Sequence, residues 1–382
     1  MTLKVARRGA IPPFIVMDVM TAAAERERTH GDALHLEVGQ PSTPAPRGVI
    51  EAAKAALDRD RIGYTVALGV PELRERIARH YAETYGVDIP VRRIVATTGS
   101  SGGFMLSFLA AFEIGDRVAL AAPGYPAYRN ILKALGIEAV ELPAGPETRF
   151  QPTAAMLEAL DRPIDGLIVA SPANPTGTML SADELRDLAA YCHGAGIRLI
   201  SDEIYHGIVY GEPGTTAASV SDSAVVINSF SKYFSMTGWR LGWMVVPDDL
   251  SRAVECLAQN LFISPPTLSQ HAAVAAFDCV EELDRNVARY SANRRLLLDA
   301  LPKAGLTRLA PADGAFYIYA DVSHLTDDSE AFCRRMLAET GVAATPGVDF
   351  DPARGHGTVR FSFAGATEDM GEAADRLRRW LG

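Results

Sequence analysis

Six short apolar runs restrict this chain to one kind of architecture. Ile94–Thr97, Val118–Ala121, Leu167–Ala170, Arg198–Ser201, Val225–Asn228 and Gly242–Val246 read as strands. Between them lie stretches of helical spacing such as Gly103–Ala111 and Ala182–His193. Short apolar strands alternating with amphipathic helices predict an α/β fold with a largely parallel sheet. Ser181, with Glu184 three residues on, is a capping box at the start of the second helix.

At 382 residues the chain is too large for one ordinary core. A large α/β domain with a smaller one is expected. The charged segment Glu281–Leu301 has helical spacing and reads as a strut leaving the large domain. Ala315–Ala320 and Thr358–Phe363 read as strands of a second, mixed region. The residues up to about Pro46 are proline-rich and are expected to be irregular.

Net charge is −10 with no basic block, which argues against nucleic acid and anionic membrane as partners. No run approaches the ~20 apolar residues that cross a membrane. The segment after Lys4, Arg7 and Arg8 is broken by Pro12-Pro13 and Asp18, unlike a signal peptide. Cys192, Cys256, Cys279 and Cys333 are scattered, which fits a reducing compartment and offers neither a disulfide framework nor a zinc site. The eight histidines show no ligand spacing, so no metal is expected, and His206 is given no role. A cytoplasmic protein is the expectation.

The chemistry centres on Ser229-Phe230-Ser231-Lys232-Tyr233-Phe234-Ser235-Met236-Thr237-Gly238-Trp239-Arg240-Leu241-Gly242, just after the run Val225–Asn228. Lysine at the end of a core strand needs a reason, because the charged form is costly to bury. A desolvated amine has a lowered pKa and forms Schiff bases. Arg240 and Ser229 bracket it and would suit a phosphorylated aldehyde. The competing reading is a solvated loop lysine beside a structural arginine.

This signature, Ser-x-Ser-Lys-x-x-(small)-x-x-Gly-x-Arg-x-Gly, resembles that of the class I/II, fold type I aminotransferases that use pyridoxal 5′-phosphate. Further matches run from about Leu36 to Arg360. The closest is Ser171-Pro172-Ala173-Asn174-Pro175-Thr176-Gly177, a rigid turn that fixes an amide. The others read less specifically by themselves. Gly39 could be a plain turn glycine, Tyr64 a surface tyrosine, Tyr125 core packing, Asp202 an N-cap and Arg360 a salt-bridged surface residue. Thr98-Gly99-Ser100-Ser101-Gly102-Gly103 could be only a turn before a helix.

The resemblance implies a large domain, 47–290, with a mostly parallel seven-stranded sheet. It joins 1–46 to 291–382 as a small α+β domain. It implies that Lys232 holds the cofactor as a Schiff base and that Asp202 pairs with the ring nitrogen. Asn174 and Tyr205 would meet the phenolic oxygen, and Tyr125 would stack on the ring. Gly99, Ser100, Ser101, Ser229 and Arg240 would form the phosphate site. Gly39 and Arg360 would take the substrate carboxylate. Tyr64 would reach the cofactor of a second subunit, which implies a homodimer.

The expected activity is ping-pong transfer of an amino group from an L-amino acid to a 2-oxo acid, with Lys232 as base and then acid. Two departures bear on the donor. One branch of the family has lysine at the third cup position, where this chain has Ser101. Another uses an arginine from the partner's loop, whereas Asn260–Pro266 has no basic residue. Neutral or aromatic donors are therefore expected over aspartate. A β-lyase or synthase on sulfur amino acids, and a non-catalytic binding protein of the same fold, remain rival readings.

Overall fold

The computed structural model describes residues 3–382. Met1 and Thr2, which open the expected 1–46 arm, lie outside the described residues. Seven strands form the main sheet: β1 (Ile94–Thr97), β2 (Arg117–Ala122), β3 (Glu138–Pro143), β4 (Gly166–Ala170), β5 (Arg198–Asp202), β6 (Val225–Ser229) and β7 (Gly242–Val245). Their spatial order is β1-β7-β6-β5-β4-β2-β3. Only β7 runs against its neighbours; the other pairings are parallel.

All six expected runs are strands of this sheet. The central β6 is buried along its whole length, as expected of a strand covered on both faces. The additional strand, β3, has the sequence Glu-Ala-Val-Glu-Leu-Pro and lies at the sheet edge, largely exposed. Its exposed Glu138 and Glu141 interrupt the apolar run that marks the buried strands.

Helix Ala182–Ala195 starts with the expected capping box and stops at Gly196 in the left-handed region, φ 72°. Such an N-cap is worth about 1 kcal/mol. Helix Gly99–Ala111 lies under β6 and β7. A Cβ at Gly103 would come within 3.3 Å of both Ile227 and Met244, so the absent side chain brings the helix close to the sheet.

Helix Val280–Lys303 contributes Leu283 to the core around the main sheet and Tyr290, Leu297 and Leu301 to a second core. That second core underlies a four-stranded antiparallel sheet: β8 (Arg308–Leu309), β9 (Tyr317–Asp321), β10 (Thr345–Pro346) and β11 (Thr358–Ser362), in the order β10-β11-β9-β8. Leu34–His35 pairs in parallel with Val342–Ala343. The Ser362 amide donates to the Leu36 carbonyl at 2.7 Å.

The expectation of an irregular arm up to Pro46 is overturned for Ile15–His30, which is an α-helix. Pro12-Pro13 end just before it, where proline no longer conflicts with a helix. Three alanines, a Glu25–Arg28 pair and the left-handed stop at Gly31, φ 69°, all favour it. The buried carboxylate of Asp349 caps it from across the chain, accepting from the amides of Ile15 (3.2 Å) and Val16 (3.3 Å).

Candidate active site

The C-terminal ends of β4, β5 and β6 lie side by side. Ala170 pairs with Asp202, and Asp202 with Ile227. The turns that leave these ends carry Asn174, Tyr205 and Lys232, so the parallel register gathers residues remote in sequence at one crest. A cavity of about 550 Å³ opens there, between the crest, β11 and the first turns of helix Ile15–His30. A larger hollow of about 730 Å³, around Arg92, His193 and Asp248, lies at the opposite end of the strands and holds none of these groups.

Lys232 is partly buried, and its Nζ donates to the Gly39 carbonyl at 2.6 Å. The same Nζ sits 5.6 Å from the centre of the Tyr205 ring. Burial, and then the charge of Arg360, lower its pKa to about 8, while Asp202 works in the opposite direction. Such an amine keeps a usable unprotonated fraction near neutrality.

Asp202 is 2% exposed. It accepts from the Tyr128 hydroxyl and, at 3.2 Å, from the Ile204 amide. Burial nevertheless raises its pKa to about 7. A buried carboxylate this poorly compensated would be pulled back toward ionisation by a cation, and a protonated ring nitrogen is such a cation.

Arg360, on β11, is 3% exposed and forms no ion pair among the described residues. Its Nη1 donates to Asn174 Oδ1 at 2.8 Å, and its Nη2 to the Glu37 carbonyl and to Thr345 Oγ1. Its Nε has no hydrogen-bond partner among the described residues. The guanidinium lies over the rings of Tyr317 and Phe350, at 4.4 and 4.8 Å. Neutral acceptors and aromatic faces thus hold a buried cation in a fixed plane. A substrate carboxylate would supply the missing charge in forked geometry.

Gly39 is required by close packing: a Cβ there would fall 2.0 Å from the Tyr317 hydroxyl, which itself bonds the Tyr205 hydroxyl at 2.6 Å. Gly99 opens its helix with φ +66°, and a Cβ would sit 2.5 Å from Arg240 Nη2. The glycine therefore lets a guanidinium lie against a helix N-terminus whose first amides lack intrahelical partners. Ser100, Ser101 and Arg240 line the cavity beside that turn, and Tyr125 lines it as well. The residues present fit a phosphorylated pyridine aldehyde: an amine, a buried anion for the ring nitrogen, and a cationic cup at a helix start.

Three expected residues, Ser229, Tyr64 and Gly99, lie outside the cavity wall, with Gly99 lying against Arg240. Ser229 is buried; its hydroxyl accepts from the Ser231 amide at 3.0 Å, and Ser231 and Thr237 stand at the wall instead. Tyr64 is 84% exposed and is not brought to the site within one protomer. The sequence reading did not single out Tyr128, Tyr317, Thr345 or Phe350, since aromatic and threonine residues beside strands read as core. It also missed Phe14, Val16, Met17 and Met20, which line the cavity from the first helix. The signal available for those was the helical spacing of Val16 and Met20 after a proline pair.

Residues 31–377 match the family model described as aminotransferase class I and II. The valine–pyruvate aminotransferase of Mycobacterium tuberculosis is 58% identical, covering 100% of this chain and 99% of that protein. A crystal structure of an aminotransferase from Mycobacterium tuberculosis superposes with a TM-score of 0.98 at 58% identity, covering 100% of this chain and 99% of the other. The aspartate aminotransferase of Thermus thermophilus, solved with maleate, is 30% identical with a TM-score of 0.93, and all of each chain is covered.

Proposed function

The chain belongs to the class I and II aminotransferases, and we propose that it moves the amino group of a neutral L-amino acid, aliphatic or aromatic, to a 2-oxo acid such as pyruvate. It is an enzyme of fold type I that depends on pyridoxal 5′-phosphate. One observation carries the donor preference. The basic groups of the cavity are Lys232, Arg240 and Arg360, and the first helix with the residue before it presents only Phe14, Val16, Met17 and Met20. With Lys232 and Arg240 serving the cofactor and Arg360 the α-carboxylate, a second carboxylate would be desolvated without a partner. The name of the 58% identical relative, for valine and pyruvate, supports the same reading.

In this reading Lys232 tethers the cofactor, Asp202 faces its ring nitrogen and Tyr125 stacks on the ring. Asn174 and Tyr205 meet the phenolic oxygen, while Gly99, Ser100, Ser101 and Arg240 hold the phosphate. Bound there, the cofactor supplies an electron-withdrawing ring that acidifies the donor's Cα–H. Arg360 grips the α-carboxylate and, with the Gly39 backbone, fixes which Cα bond points at Lys232. The Lys232 amine, unprotonated in part near its pKa of about 8, takes up the Cα proton at Nζ and gives it back.

The pairing of Leu34–His35 with Val342–Ala343 supports a division into 47–290 and a small domain of 1–46 with 291–382. The exposure of Tyr64, at 84%, beside exposed Val66 and Ile263, supports a homodimer in which Tyr64 reaches the second protomer's phosphate. Four free cysteines support a cytoplasmic setting. Among the described residues, no helix is long and apolar enough to cross a membrane.

A panel of donors, scored by the absorption change of the cofactor in half-reactions, tests the assignment. Neutral donors should give the higher kcat/KM. A higher value for aspartate than for any neutral donor would overturn the preference.

A further inference from the structure

His206 follows Tyr205 in the chain, yet its ring lies outside the cofactor cavity. It lines a separate hollow of about 310 Å³ with Tyr85, Asn228 and Tyr233. Both ring nitrogens are engaged. Nε2 lies 3.0 Å from the Ser171 carbonyl; since a carbonyl only accepts, Nε2 carries the hydrogen. Nδ1 lies 2.8 Å from the Tyr85 hydroxyl, which therefore donates to it. Burial holds the imidazole neutral, with its pKa lowered to about 4, so this tautomer persists across the physiological range. Glu203 Oε2, which has no hydrogen-bond partner among the described residues, is 3.6 Å from Nδ1, outside bonding reach.

Ser171 opens the turn that carries Asn174, and its own amide donates to the Asp202 carbonyl at 3.2 Å. The His206 amide donates to the Glu203 carbonyl at 3.0 Å, which closes the turn that carries Tyr205. The imidazole therefore bridges the two turns from behind. We propose that His206 is a positioning residue whose Nε2–H pins the Ser171–Asn174 turn to the Asp202–Tyr205 turn and so sets where the Asn174 amide and the Tyr205 hydroxyl stand. This inference rests on the reading that those two groups serve the cofactor's phenolic oxygen.

Donors on that oxygen weaken its hold on the proton of the Lys232 nitrogen. Loosening them raises the pH at which the visible band of the lysine-bound cofactor changes. The test is a pH titration of that band in purified holoenzyme, with kcat, KM and Tm measured alongside. His206→Leu should raise the midpoint by about one unit and lower kcat about tenfold with little change in KM, as expected for loss of one hydrogen bond that acts on the reacting geometry. His206→Gln, whose amide reaches the Nε2 position, should stay close to the parent. An unshifted midpoint in His206→Leu, or an equal shift in His206→Gln, overturns the proposal. If His206→Leu does not fold, His206→Asn against His206→Gln decides, because asparagine reaches only the Nδ1 position: a shift confined to His206→Asn supports the proposal, and equal midpoints overturn it. Asn174→Ala is the control. If it leaves the midpoint unmoved, the reading of the site fails; if it shifts the midpoint and the His206 variants do not, only the role of His206 falls.

Discussion

Arg360 Nη1 donates to Asn174 Oδ1 at 2.8 Å. That bond ties β11 of the four-stranded sheet to the turn that follows β4 of the main sheet. It places a guanidinium with no ion pair among the described residues beside the amide expected to meet the cofactor. It also uses the acceptor oxygen of Asn174 and leaves the amide hydrogens free for another oxygen.

Arg360→Lys is therefore expected to be a severe change. Lysine has no planar fork to match a carboxylate, and it would leave Asn174 Oδ1, the Glu37 carbonyl and Thr345 Oγ1 without their shared donor. A loss of about 10²-fold in kcat/KM, mostly in KM, follows from charge-assisted bonds worth about 1.5–3 kcal/mol. Steady-state kinetics with the best neutral donor checks it; a change under threefold would contradict the role.

Lys232→Ala should abolish turnover and leave no covalent label after borohydride treatment of the loaded protein. Burial already makes Lys232 the amine suited to the tether. Mass spectrometry of the reduced, digested parent should find the label on the peptide that contains Lys232 and on no other.

Met20→Arg places a cation in the apolar wall formed with Phe14, Val16 and Met17. The ratio of kcat/KM for aspartate to that for valine should rise by about tenfold or more, because a carboxylate there gains a partner. A ratio unchanged within twofold would show that donor side chains do not meet this wall.

Two perturbed groups of the site predict part of how the cofactor-free protein responds to pH. Asp202 titrates near 7 when folded and near 4 when unfolded, so between these values the folded state binds the extra proton and stability falls as pH rises. Lys232 titrates near 8 when folded and near 10 when unfolded, so the unfolded state binds the extra proton and stability rises with pH across that window. In denaturant titrations, Asp202→Asn should lessen the fall between about pH 4 and 7, leaving the share of Glu203, whose pKa burial also raises to about 7. An unaltered slope would mean that Asp202 is not the group responsible.

The central strands were legible in the sequence because strands covered on both faces are largely apolar, as Val225–Ile227 of β6 are. The edge strand β3 was not, since Glu138 and Glu141 lie exposed along it. Helix Ile15–His30 escaped notice behind Pro12-Pro13, although its alanines and the stop at Gly31 were in plain view. Lys232 and Asn174 stood out locally because each sits on a turn whose residues constrain one another, whereas Asp202, at the end of β5, was named only through the resemblance. Tyr128 could not be named, since nothing in an aromatic residue on a helix says that its hydroxyl will meet a carboxylate from a strand.

The alternation of strands and helices, the lysine, and the turns that expose groups at the crest follow from local patterns, because apolar period and turn chemistry act over a few residues. Whether a charged side chain is paired does not, since its partners come from anywhere in the chain. Arg360 reads in sequence like any surface arginine; only the packing of β11 against the arm and the Asn174 turn leaves it buried, oriented and without an ion pair among the described residues. His206 reads like any buried histidine, and only the fold brings its ring between Tyr85 and Ser171. Desolvation and counter-charge are properties of three-dimensional neighbours, and they decide which of the chain's ionisable groups can do chemistry.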